Sequence, residues 1–165
     1  MSDTFASAKL FAITFLFWML LNGAFALDVI LVGALVAGAI TFFLGGSLHF
    51  LSGYRLTGES ARATVGYVGY FLGELVKANI SVARVVLDPA LPVVPAIVKV
   101  RTRLRNPVAR LLLANSITLT PGTLTVEMTD EWLYVHWVVA RTTDPEAATD
   151  AIVAGFEKYL EVMYD

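Results

Sequence analysis

Glu74, Lys77, Ser81 and Arg84 stand at offsets of 0, 3, 7 and 10, the spacing that gathers side chains on one face of an α-helix. An acid and a base three residues apart can pair with each other, serve an ion path or meet a neighbouring protein. Inside a membrane such groups are functional candidates by default; at its surface they form an ordinary solvated pair. The surface reading is the better supported, so Glu74, Lys77 and Arg84 are candidates for an ion path or an inter-subunit contact. A second set, Lys99, Arg101, Arg103 and Arg105, alternates with apolar positions along an extended stretch. Strand arginines of this kind can bind nucleic-acid phosphates, but here they closely follow apolar segments, and attraction to anionic lipid headgroups is the simpler expectation. His49 and His136 are far apart in the sequence and are expected to be structural. With no cysteine, disulfides, iron–sulfur clusters and thiolate zinc sites are excluded. Gly45-Gly46 matches helix packing rather than a phosphate loop. No nucleophile motif or metal cluster is recognisable, so neither enzymatic activity nor a cofactor is expected.

The elements that must hold these residues begin with two apolar runs. Residues 10–27 and 29–48 carry no charge and are separated by Asp28 alone. Each is close to the ~20 residues a helix needs to cross a bilayer, and together they are too long for one span. Asn22, Gly23 and Asp28 supply turn chemistry, so a tight hairpin of two spanning helices is expected. Gly33, Ala37, Ala39, Gly45 and Gly46 would let the backbones approach closely. Trp18 carries little weight as an interfacial anchor. Lys9, the first apolar run and Ala24-Phe25-Ala26 together mimic a cleavable signal, but the second apolar run argues against that reading. The chain is 57% hydrophobic and 16% charged, with a mean hydropathy of +0.70, more apolar surface than so small a core can bury.

Residues 49–62 read as a polar loop, and 61–87 as one amphipathic helix stopped by Asp88-Pro89. Gly66, Gly69 and Gly73 continue its polar face, and Val68, Leu72, Leu75, Val82 and Val86 lie opposite. A central Glu and Lys would each cost roughly 2.5–3.5 kcal/mol inside the bilayer. A helix on the membrane surface avoids that cost. Two spans also put Lys9, Arg55, Arg62, Arg84 and the belt from Lys99 to Arg110 on one side, with only Asp28 on the other, as the positive-inside rule requires. The expectation is two spans with both chain ends cytoplasmic; a third span over 61–87 is the alternative.

From Leu91 the pattern is that of a soluble domain. Val94, Ala96, Val98 and Val100 alternate with basic residues as a strand. Asn106-Pro107 opens a short helix, about 107–115. Thr120-Pro121-Gly122-Thr123 is a turn, with Pro121 fixing φ and Gly122 supplying φ > 0 in type II geometry. Residues 123–129 and 132–139 are strands, the second apolar on both faces and therefore central or doubly covered. Asp144-Pro145-Glu146 opens a last helix that buries Ile152, Phe156, Tyr159, Leu160 and Met163. The expected organisation is a helical hairpin at 1–50, a loop and amphipathic membrane-surface helix at 51–90, and a cytoplasmic α+β domain of order β-α-β-β-α at 91–165.

The run from Ala114 to Val139, ANSITLTPGTLTVEMTDEWLYVHWVV, resembles the E subunit of the multisubunit Mrp-type sodium/proton antiporter, the MnhE family. Asn115 to Thr123 and Leu133 to Trp137 carry the likeness. Residues 74–87, ELVKANISVARVVL, and the opening hairpin are similar too, so it extends over essentially the whole chain. The resemblance implies an accessory subunit in the cell membrane that supports assembly and ion exchange beside larger, very hydrophobic subunits that hold the ion pathways. Related subunits also occur in membrane-bound hydrogenases, so a tethered adaptor of another membrane complex is the alternative. A lone transporter is a weaker third, since two spans do not easily enclose a pathway. Within the block, Asn115, Thr118, Thr120, Pro121, Gly122 and Thr123 are expected to be structural or to form a docking surface.

Overall fold

A computed structural model of the chain describes residues 2–45 and 53–165. It is mostly helical, with one small antiparallel sheet, and its contacts divide it into two compact units, Met1–Tyr54 and Arg55–Asp165. Gly46 and His49 lie outside the described residues.

In the first unit, α1 (Ser2–Asn22) and α2 (Leu27–Leu44) pack as a hairpin. The reversal lies at residues 23–26, where Gly23 takes φ +62, a conformation costly for any residue with a Cβ. Asp28, expected in the turn, sits instead in the first turn of α2, where a carboxylate complements the positive end of the helix dipole. Trp18 holds the helices together: its indole N–H donates to the Val29 carbonyl at 3.0 Å, and its ring lies over Gly33, where a Cβ would collide with it. Gly33 and Ala37 are buried at the contact. The outer surface stays apolar, with Phe17, Leu20, Leu31, Leu35 and Phe42 all exposed. Leu27–Leu44 is the one described helix long and apolar enough to cross a membrane; the apolar part of α1, Ser7–Asn22, is shorter.

In the second unit, β1 (Ala96–Arg101), β2 (Thr123–Met128) and β3 (Trp132–Trp137) form the sheet in the order β1-β3-β2. β3 is central, as its two-sided apolar pattern predicts, and both pairings are antiparallel. One face is the core: Val98 and Val100 pair with Val135 and Leu133, all buried; α4 (Pro107–Leu119) packs on β2, and α6 (Ala154–Tyr164) packs on α4. The other face is open. Ile97 and Leu124 are exposed there, and Trp132, Tyr134 and His136 are half-buried, so β3 is central without being covered on both sides. A bulge at Val126 shifts the β2–β3 register between Thr125 and Glu127. Ahead of it Thr125 faces α4, donating its hydroxyl to the Ala114 carbonyl at 3.1 Å.

Both cap-plus-proline signals mark helix starts. Asn106 accepts from the amides of Val108 and Ala109 at 2.9 and 3.4 Å, and Asp144 from that of Ala147 at 2.8 Å. α4 runs a turn beyond the expected 115, because Ser116 is buried and returns its hydroxyl to the Leu112 carbonyl at 2.7 Å. It stops at Thr120, before Pro121, as the residue preceding a proline disfavours helix. The last helix is two helices, α5 (Pro145–Ile152) and α6, broken at Val153. α5 packs on β1, whereas α6 packs on α4 and on α3 (Gly58–Leu87). Gly155, just past the break, admits the Tyr70 ring, which a Cβ there would strike.

α3 is capped by Thr57, whose hydroxyl accepts from the Ser60 amide at 3.1 Å. It lies on α6 through an aromatic cluster: the rings of Tyr70 and Phe156 are 5.0 Å apart, and those of Tyr67 and Phe156 6.2 Å. The Tyr67 hydroxyl is hydrogen-bonded to that of Ser116. α3 thus has two apolar sides. One packs on the unit; the other, with Val65, Leu72, Val76 and Ile80, is exposed.

Candidate functional site: a cleft between α3 and the Thr120–Thr123 turn

The turn is held from both sides. Gly122 has φ +93, and the Thr123 amide donates to the Thr120 carbonyl at 3.2 Å, the bond that closes a β-turn. The Thr123 hydroxyl donates to the carbonyls of Ile117 and Thr120 at 2.6 and 2.8 Å, and the Thr120 hydroxyl to that of Ser116 at 2.8 Å. Both hydroxyls serve the backbone, which fits a rigid scaffold. A Cβ on Gly122 would sit 3.4 Å from the Val82 side chain of α3.

Gly122 and Val82 both line a cleft of about 390 Å³, together with Tyr70, Glu74, Lys77 and Ser81 of α3, the rest of the Thr120–Thr123 turn, Trp137, Arg141 and Ile152. Two groups of residues singled out separately in the sequence, Glu74 with Lys77 and Thr120 to Thr123, therefore meet on one surface. Lys77 donates to Glu74 at 2.8 Å; its side chain is 74% exposed and that of Glu74 28%. The bond to Glu74 and the carboxylate's charge hold the Lys77 ammonium above its ordinary pKa. Burial raises the Tyr70 phenol, and the Glu74 charge adds to it. Arg141, which no sequence pattern singled out, adds a second cation to the lining. The cleft thus offers a solvated ion pair and an arginine, suited to polar contact with another protein. Among the described residues, no group of three or more His, Cys, Asp or Glu side chains could hold a metal ion.

Other expected site residues lie elsewhere. Arg84 is exposed on α3, Asn115 is exposed on α4, and the Thr118 hydroxyl accepts from the Thr125 amide at 3.1 Å. The basic belt surrounds a second cavity of about 650 Å³, shared by Arg101, Arg103, Arg105 and Arg110 with Asp130 and Glu131. Arg101 pairs with Glu131 at 2.6 Å. The Arg103 guanidinium lies 3.4 Å from Glu157 and 3.5 Å from Glu161. The Lys99 ammonium stands 4.1 Å over the Trp132 ring, a favourable cation–π position. Glu157 is buried at 4% exposure. It accepts from the Thr102 hydroxyl at 2.6 Å and from the Arg103 amide at 2.7 Å, fastening the end of β1 to α6. Its only sequence signal was an acid on the buried side of an amphipathic helix.

Comparison with known proteins gives concordant results. The family model described as "Na+/H+ ion antiporter subunit" matches residues 11–163. The Na(+)/H(+) antiporter subunit E1 of Staphylococcus haemolyticus is 32% identical over 147 residues, 86% of each chain. Subunit E1 of Staphylococcus saprophyticus is 29% identical over 148 residues, again 86% of each. Among solved structures, a chain of the membrane-bound sulfane sulfur reductase, an archaeal respiratory membrane complex, superposes with a TM-score of 0.85 at 31% identity, covering 96% of this chain and 99% of that one. A match spanning the hairpin, α3, the turn and the sheet settles membership: the chain belongs to the MNHE family of Na+/H+ ion antiporter subunits, a family of membrane transporter components.

Proposed function

We propose that the chain is the accessory E-type subunit of a multisubunit sodium/proton antiporter, supporting assembly and ion exchange while other, very hydrophobic subunits carry the ions. The observation that carries this reading is the distribution of ionisable groups. Residues 10–27 and 29–48 hold none, and Glu74 and Lys77, the candidate pair on α3, are solvated and bonded to each other. A chain of this kind has anchoring and contact surfaces but no proton path of its own. Glu74 and Lys77 then serve a contact with a loop of a neighbouring subunit at the cleft, and the Thr120–Thr123 turn is the rigid wall of that contact.

In this reading the hairpin crosses the membrane twice, α3 stays on the cytoplasmic side, and residues 91–165 form a cytoplasmic domain. The positive-inside rule supports it. Of the belt, Arg101 and Arg103 spend part of their charge on Glu131, Glu157 and Glu161. The headgroup attraction of Lys99, Arg101, Arg103 and Arg105 therefore falls below the roughly 1 kcal/mol per residue of free basic side chains.

The test is purification of the tagged chain from gently solubilised membranes, with sodium/proton exchange in everted vesicles lacking the subunit. The antiporter reading expects several hydrophobic partners and impaired exchange. A single soluble partner would instead identify a tethered adaptor. The likeness to the sulfane sulfur reductase chain favours one second reading, a respiratory membrane complex as host, which co-purifying redox subunits would reveal. Topology is tested by single cysteines at Ser2, Asp28, Ser60 and Thr143. An impermeant thiol reagent should reach only Asp28 in intact cells, and labelling at Ser60 would require the third span.

A further inference from the structure

We propose that the exposed side of α3 is a lipid-binding face, lying lengthwise in the headgroup boundary of an anionic bilayer with Val65, Leu72, Val76 and Ile80 turned into the acyl region and Arg62 and Arg84 on lipid phosphates. The proposal rests on the cytoplasmic placement of α3 given above and adds to it which face meets lipid, and through what chemistry.

The apolar side chains recur at 65, 72, 76, 80 and 87, a seven-and-four spacing that keeps them on one side of a helix. All are exposed. The side facing α6 is already filled by Tyr67, Tyr70 and Phe71 with Phe156 and Tyr159, so the stripe has no use in the fold of its own unit. From Val65 to Leu87 it extends about 33 Å at 1.5 Å per residue. A continuous exposed stripe of this length on a monomeric surface marks a binding face.

Charge selects the occupant. On a 100° helical wheel, Arg62 lies at the edge of the stripe and Arg84 and Lys77 along the flank beside it; the one acid on that flank, Glu59, is in the first turn of the helix, and Glu74 is turned toward the cleft and pairs with Lys77. Apolar residues on one side and basic residues along the edge form the pattern of a helix lying in a negatively charged membrane surface. Thirteen residues separate Leu44, the end of α2, from Gly58, the start of α3, so the chain tethers this face to the bilayer that α2 is long enough to cross. Gly69 and Gly73, with open space where their Cβ atoms would be, let the helix backbone sit close to the surface. A transmembrane helix of another subunit is the competing occupant.

The chain has no cysteine, so nitroxide labels can be placed singly at Val65, Leu72, Val76 and Ile80, with Asn115 as the exposed reference on α4. The full chain is reconstituted alone in nanodiscs of phosphatidylcholine, with or without phosphatidylglycerol. Collision rates with oxygen and with a nickel chelate then give label depth. With phosphatidylglycerol, the four α3 labels should share one shallow depth of about 5–10 Å, with Asn115 in water. In phosphatidylcholine alone, or in Arg62→Glu/Arg84→Glu, their oxygen-to-nickel ratio should fall several-fold. A depth that increases toward Leu72 and Val76 and decreases again would show a crossing helix and overturn the proposal. Four water-accessible labels in anionic discs would overturn it in favour of a protein partner. A depth indifferent to lipid charge would remove the phosphate contacts and sink it as stated. No partner subunit is present, so none of these outcomes bears on membership of an antiporter, which the purification tests separately.

Discussion

Glu157 is the residue whose removal the structure prices most directly. Both of its short hydrogen bonds, from the Thr102 hydroxyl and the Arg103 amide, end on the same oxygen, Oε1. Among the described residues, Oε2 receives only the Arg103 side chain at 3.4 Å, and that side chain is 76% exposed. Glu157→Gln therefore keeps the acceptor that matters. It loses the charge assistance of the two bonds and a weak contact with a guanidinium already in water, a cost of about 1 kcal/mol. Glu157→Ala removes the acceptor altogether. Thr102 is 2% exposed, so its hydroxyl loses its partner where water has little access, at roughly 1–3 kcal/mol, and the Arg103 amide, on an exposed residue, adds a smaller cost of about 1 kcal/mol; about 3 kcal/mol in all is expected. Urea unfolding of the full chain in detergent micelles, followed by tryptophan fluorescence, gives both values if the slope is unchanged. Equal losses for Gln and Ala would refute the reasoning, because they would make the negative charge, not the accepting oxygen, the source of stability. A loss below 1 kcal/mol for Ala would show that water reaches the site.

Gly122→Val forces a β-branched side chain to φ +93 and presses it on Val82; we expect about 2–3 kcal/mol of destabilisation and a lower level of assembled complex, read by immunoblot, with ion preference unchanged. Tyr67→Phe should lose about 1 kcal/mol near neutral pH through its bond to Ser116. Burial holds the Tyr67 phenol above its ordinary pKa, so the unfolded chain ionises first. The stability that depends on the neutral phenol is complete below about pH 10 and lost as pH rises further. Urea midpoints measured through that range should therefore fall less steeply for the Phe variant than for the parent. Glu74→Gln with Lys77→Gln should weaken assembly modestly and leave the pH profile of exchange in everted vesicles unchanged, once normalised to assembled complex. Abolition of exchange by Glu74→Gln alone in a fully assembled complex would put Glu74 in an ion path and α3 inside the membrane.

What could be read from the sequence was what depends on neighbours along the chain. Asn106-Pro107 and Asp144-Pro145 carry their own capping chemistry, and the Thr120–Thr123 turn shows itself in its proline and glycine. The central place of β3 follows from a strand apolar on both sides. What stayed hidden depends on partners distant in sequence. Glu157 resembles any acid of an amphipathic helix until Thr102 and Arg103 are seen against it. The break at Val153 follows from α5 and α6 answering to different elements, β1 for one and α3 with α4 for the other. Periodicity showed that α3 is amphipathic, but it cannot tell an apolar side filled by Phe156 from one left open, and α3 has both. The cleft was half legible: Glu74, Lys77 and the turn were each singled out, but only the fold brings them together and adds Arg141.

The packing of α3 on α6 sets an order of events during synthesis. α3 ends at Leu87 and its partner α6 begins only at Ala154. At about 5–20 residues per second, Tyr67, Tyr70 and Phe71 wait on the order of 3–13 s after α3 is complete before Phe156 and Tyr159 can cover them. The β2–β3 hairpin, whose strands are adjacent in the chain, can close within that interval; the aromatic side of α3 cannot be covered. For those seconds the helix is apolar on both sides, the state most prone to misassociation. A nascent chain whose hairpin has already reached the membrane would hold that exposed helix beside lipid rather than beside other nascent chains. Slowing translation between Leu87 and Ala154 should therefore be tolerated when the hairpin is present, and should promote aggregation when residues 55–165 are made without it.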